Sequence, residues 1–103
     1  MRRWRRRAKA PTLPSYPGWN GLLAELHGEL LALHRDLRYL DVKAKFGELR
    51  VYTDYDRRDP AVLALTKAYT KRSTAICEQC GAPGAPVQLP QGFVHTLCPT
   101  HTT

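Results

Sequence analysis

Four residues in the last quarter of the chain carry ligand chemistry: Cys77, Cys80, Cys98 and His101. They arrive as two pairs, Cys77-Glu78-Gln79-Cys80 and Cys98-Pro99-Thr100-His101, with seventeen residues between the pairs. A C-x2-C turn can place two thiolates on one side of a tight knuckle, and a second pair can complete a tetrahedron about 2.0–2.3 Å from a zinc ion. Gly81 follows the second thiolate, where a side chain would crowd the metal or need a positive φ. The spacing predicts one structural Zn2+ held by these four residues. Four protein ligands leave no open position for a catalytic metal. His95 is the rival for the fourth ligand, although its strand-like surroundings also suit a half-buried hairpin residue. A redox role for Cys77 and Cys80 would require the pair to open a helix after a strand. Here the pair follows a helical pattern and precedes Gly81-Ala82-Pro83-Gly84, which favours metal.

The elements around this set follow from periodicity. Trp19, Leu22, Leu23, Leu26, Leu30, Leu33 and Leu37 recur at three and four residues, an apolar stripe that predicts a helix over 20–38 with Asn20 as its cap. His27 and His34 share a face of that helix near Glu29 and Asp36, and are expected as surface histidines beside the stripe. From Leu40 the period drops to two and predicts a hairpin over 40–54. Gly47-Glu48 fits a two-residue type II′ loop, which pairs Phe46 with Leu49, Ala44 with Val51, Lys45 with Arg50 and Lys43 with Tyr52. Like charges directly across a sheet are unfavourable unless something acidic lies over them; phosphate, an acidic protein, or Asp54, Asp56 and Asp59 of the chain itself could supply that cover, and simple solvation of the face is the plainer alternative. Asp54 and Asp56 form too weak a pattern for a cation site. Asp59-Pro60 is an N-cap with proline at the first helical position, opening a helix over 60–75. The expected core is the leucine stripe with Val42, Phe46, Val51, Leu65 and Tyr69. Val87–Leu89 and Phe93–Leu97 then read as short strands joined by a three-residue loop, Pro90-Gln91-Gly92.

The expected fold class is therefore α+β: two helices packed on a β-hairpin, followed by a small zinc knuckle and a second hairpin. Knuckle, hairpin and a ligand pair at a helix-like start resemble a treble-clef zinc finger over about residues 77–101. The chain ends two residues after His101, so the closing helix of that motif is expected to be one turn at most. A wider resemblance rests on Gly18-Trp19, the run Val42 to Tyr52, Ile76 to Gly84 and Thr96 to His101. These stretches are similar to a family of small bacterial and phage proteins of unassigned function. That resemblance implies an origin and no activity.

Composition sets the functional limits. In a chain of 103 residues with net charge +7, Arg2, Arg3, Arg5, Arg6, Arg7 and Lys9 supply six uncompensated charges. The remainder holds ten basic and nine acidic residues, so it lacks the broad electrostatic footprint of a dedicated nucleic-acid domain. The arm alone can grip phosphates without reading sequence, and Trp4 can stack on a base. Lys43, Lys45, Arg50 and Tyr52 offer a second face for nucleic acid. Residues 1–17 are expected as a basic, disordered arm and Pro-rich linker, and 18–103 as one domain that includes the zinc subdomain 77–101. There is no 18-residue apolar run to span a membrane and no apolar signal-peptide segment. Three cysteines without an export signal fit a reducing cytoplasm. The expected function is a non-catalytic, zinc-stabilised binding module for nucleic acid or a nucleoprotein complex. The alternative is a protein-interaction regulator docking on a host or cellular enzyme; a treble-clef nuclease using His95 is more remote, because no second metal set accompanies it.

Overall fold

The computed structural model describes residues 9–102. Helix α1 (Asn20–Leu33), hairpin strands β1 (Tyr39–Lys45) and β2 (Glu48–Thr53), helix α2 (Pro60–Ser73), strands β3 (Ala85–Gln88) and β4 (Val94–Leu97) and a one-turn helix α3 (Pro99–Thr102) follow in order. The two antiparallel hairpins form separate two-stranded sheets. The fold is α+β, with the first hairpin covered by two helices as a lone hairpin requires.

The core lies between α1, α2 and the inward face of the first hairpin. Trp19, Leu23, Leu26, Leu30, Leu49 and Val62 are essentially sealed from solvent, with Leu22, Leu37, Val51 and Tyr69 beside them. Leu65 and Val42 pack on this cluster half-buried. Leu33 is the exception in the stripe: it ends α1, and the chain turns away at His34 into extended backbone. His34 is held there by stacking on Tyr55 and by its 2.6 Å contact with Asp59. The helix predicted to reach 38 therefore stops at 33, while Leu37 still returns to the core.

Two further local expectations are corrected. Asn20 does not cap α1, because a 3-10 turn over Pro17–Trp19 runs directly into the helix; its Oδ1 accepts the Leu13 N–H at 2.9 Å instead. His27 is buried, not a surface residue, and meets the Tyr39 hydroxyl at 2.6 Å. By contrast, Asp59 accepts from the Ala61 N–H at 2.9 Å with Pro60 as the first helical residue, as predicted.

The first hairpin turns one residue earlier than expected. Lys45 faces Glu48, Ala44 faces Leu49, Lys43 faces Arg50 and Val42 faces Val51. Phe46-Gly47 is the loop, with φ of 54° and 77° at its two positions; positive φ at both is the type I′ signature. The shift keeps Val42, Ala44, Leu49, Val51 and Thr53 on their predicted inner face and removes Phe46 from the core, leaving it 67% exposed. Leu40, expected on that inner face as well, is turned out by a bulge between Tyr39 and Asp41 and is 68% exposed.

Candidate metal centre

The first ligand pair lies just past α2. Cys77 and Cys80 sit on a knuckle closed by Gly81 N–H donating to Cys77 O at 2.9 Å and Cys77 N–H donating to Ala82 O at 2.7 Å. The second pair comes from the far end of β4. Cys98 leaves the strand and His101 lies on α3, one turn later on the same side. The second hairpin brings the pairs together, its loop closed by Leu89 N–H to Phe93 O at 2.8 Å and by Gly92 in the left-handed region, as expected.

The ligand atoms of Cys77, Cys80, Cys98 and His101 all lie within 4.8 Å of one another. Cys98 Sγ is 3.2 Å and Cys77 Sγ 3.6 Å from His101 Nδ1, and Cys80 Sγ is 3.7 Å from Cys98 Sγ. A tetrahedron with a metal–sulfur bond of about 2.3 Å has a sulfur–sulfur edge of about 3.8 Å, so these separations fit a four-coordinate ion. The expected quartet is thus gathered as a group that can hold a metal. His95 is not part of it; its Nδ1–H donates to the carboxylate of Glu78 at 2.7 Å.

Electrostatics favours a cation at this point. The His101 ring draws the Cys98 thiol down to about 6. His101 is raised in turn, first by Cys98 and then by Cys77. Burial works against a thiolate at Cys77, but the backbone N–H groups of Gln79, Cys80 and Cys98 leave it lowered. Cys80 is raised: the Ala82 backbone lowers it, but partial burial and the neighbouring sulfurs of Cys98 and Cys77 prevail. Sulfurs this close compete for negative charge, and a divalent ion relieves that competition more fully than a proton on His101.

The knuckle is built into the body. A Cβ on Gly18 would stand 2.0 Å from Cys77 O and 2.6 Å from Gly81 N, so only glycine permits this approach. Gly18 N–H donates to Glu78 O at 2.8 Å, and the Trp19 indole N–H donates to Ile76 O at 2.9 Å. Glu78, unremarkable in sequence as a residue between two cysteines, is 1% exposed. Its carboxylate accepts from Thr96 N–H at 3.0 Å as well as from His95, tying the knuckle to β4.

The expected nucleic-acid residues divide into three groups. Arg2, Arg3, Trp4, Arg5, Arg6 and Arg7 lie outside the described residues, and Lys9 is exposed. Lys43, Lys45, Arg50 and Tyr52 share the outer face of the first hairpin. The shifted register corrects the charge balance of that face. Arg50 pairs with Glu48 at 2.8 Å and Lys43 reaches Asp41 at 3.7 Å, so the hairpin itself supplies the acidic partners. Asp54, Asp56 and Asp59 serve elsewhere: Asp54 accepts the Arg38 N–H, Asp56 holds Thr53, and Asp59 caps α2.

Among the described residues no helix is long and apolar enough to cross a membrane. No protein-family model, curated protein or solved structure matches the chain.

Proposed function

We propose that the chain is a non-catalytic binding module, stapled by one zinc ion, that contacts nucleic acid through its Arg-rich arm and the outer face of its first hairpin. The observation that carries the zinc is the convergence of Cys77, Cys80, Cys98 and His101 at tetrahedral separations. Three thiolates and an imidazole are zinc ligands by type and number, and a metal with four protein ligands keeps no position for substrate. The contact face is supported by cations set over aromatic rings: Lys43 Nζ lies 5.6 Å from the Tyr52 centroid, and Lys45 and Arg50 lie 5.4 and 5.7 Å from that of Phe46. Cations beside exposed rings can meet phosphates and bases together. The resemblance to small bacterial and phage proteins supplies the proposed origin.

Native mass spectrometry tests the metal, with one zinc per chain expected. Affinity for RNA and DNA across a salt series, with and without residues 1–10, tests the contact. Several phosphate contacts give a steep loss with salt, and removal of the arm flattens the slope. Absence of salt-dependent binding to either polymer overturns the nucleic-acid reading.

The second reading is a protein-interaction regulator. It is favoured by the ion pairs of Asp41 and Glu48, which quiet the hairpin face, and by exposed apolar side chains such as Leu40.

A further inference from the structure

Two phenylalanines are spent on solvent. Phe46 is 67% and Phe93 69% exposed, each at the turn of a different hairpin. Both border one cleft of about 290 Å³, together with Tyr16, Lys45 and His95. We infer that this cleft takes an unpaired base of a single-stranded nucleic acid against the rings of Phe46 and Phe93, with Lys45 beside the phosphate; the inference rests on the nucleic-acid reading above and gives it a site.

The turn, the walls and the charges of the cleft all fit this occupant. Phe46 holds φ of 54°, a conformation in which a bulky residue is an outlier and asparagine the ordinary choice for a type I′ turn. Its ring does not join the core, so packing does not account for it. The walls are fixed before any ligand arrives: Thr96 Oγ1 donates to Gly47 O, and a Cβ on Gly47 would stand 3.0 Å from the Val94 side chain. Such preorganisation lowers the ordering cost of binding.

Lys45 supplies the cation that a phosphate needs. It makes no ion pair among the described residues, whereas Arg50, 5.7 Å from the Phe46 ring centroid, is already paired with Glu48. The carboxylate bordering the cleft, Glu78, is turned inward onto Thr96 N–H and His95. That bond occupies Nδ1 of His95 and leaves Nε2 as the ring atom open to a base edge. The segment from Lys9 to Tyr16 spans at most roughly 25 Å even fully extended, which keeps the basic arm within reach of the same strand. Exposed rings discriminate for single strands, because a paired base keeps its faces inside the duplex stack.

The test uses the full chain, loaded with zinc, and labelled single-stranded RNA and DNA oligonucleotides. A matching duplex and an oligonucleotide of the same length carrying abasic sites serve as comparisons. Phe46→Asn and Phe93→Thr remove one ring each, and the first installs a residue that the turn prefers, so it retains or raises the melting temperature. Each is expected to weaken single-strand binding roughly 5- to 150-fold, with the salt slope unchanged and duplex or abasic binding little altered. Tighter binding to RNA or to DNA identifies the natural strand, and either result supports the site. Salt-dependent binding that both variants retain in full overturns the cleft and leaves the nucleic-acid reading standing. Binding to no nucleic acid overturns both and leaves the exposed rings to a protein partner.

Discussion

The two halves of this molecule are held together by different means. The helical body buries a tryptophan, five leucines of the stripe and an apolar hairpin face in one cluster. The C-terminal unit has Leu97 and two cysteine ligands as its buried cluster, flanked by the half-buried Ala82, Val87 and Leu89. Burying a large apolar side chain contributes about 1.5–3 kcal/mol, so the body can stabilise itself by area removed from water. The C-terminal unit is too small for that route; its cross-links are the Glu78 bonds to Thr96 and His95 and, on the zinc reading proposed above, an ion held by Cys77, Cys80, Cys98 and His101. The comparison teaches that a quartet able to hold a metal stands where the chain has little core, and that Gly18 and Trp19 are where the two halves meet.

Metal removal should separate the halves most sharply. Structural zinc in small domains supplies about 10–16 kcal/mol of apparent binding free energy at neutral pH. Chelation, or Cys77→Ser, is expected to abolish amide-exchange protection over residues 77–102 while α1 and α2 keep measurable helicity. Full protection of β3 and β4 in metal-free protein would mean that the C-terminal unit has a sufficient core of its own.

Gly18→Ala attacks the joint. The new Cβ would press on the backbone of Cys77, Glu78 and Gly81, none of which can swing aside as a side chain can. The expected loss is about 1–3 kcal/mol of stability, together with weaker zinc retention in a chelator competition. Unchanged zinc affinity would show that the knuckle closes independently of the body.

The last prediction concerns the body alone, at high pH. Burial pushes Tyr39 up to about 12, and Tyr69 rises to about 12 through burial and then its bonds to Glu29 and Glu25. Both folded values lie above the ordinary tyrosine value of about 10. The unfolded chain therefore loses these protons first, so the contribution is complete below about pH 10 and disappears as pH rises towards 12. Denaturation followed by helical circular dichroism should show stability falling in that window, with Tyr39→Phe reducing the slope. A flat profile would mean that these phenols ionise without opposing the fold.

Much of the site was legible from residue spacing, since two x2 pairs joined by a hairpin of suitable length constrain their ligands locally. The helical stripe, the Asp59-Pro60 cap and the left-handed Gly92 were legible for the same reason: each is settled within a few residues. Phe46 shows where local reasoning stops. A glycine can take the first place of a II′ turn or the second of an I′ turn, and both registers put the same side chains on the same faces. The choice is associated with Gly47 lying against Val94 and His95, with its carbonyl accepting from Thr96, residues about fifty positions away. Glu78 and His27 are similar cases, since a polar residue is tolerated inside only when a distant partner satisfies it. The amino-acid sequence by itself determined the candidate ligand quartet, the helical stripe and the sidedness of the first hairpin from Asp41 onward, because these depend on short periods along the chain. The tertiary structure alone decided the turn register, the burial of Glu78 and the meeting of two phenylalanines at one cleft, because those depend on which distant surfaces come within hydrogen-bond or van der Waals reach.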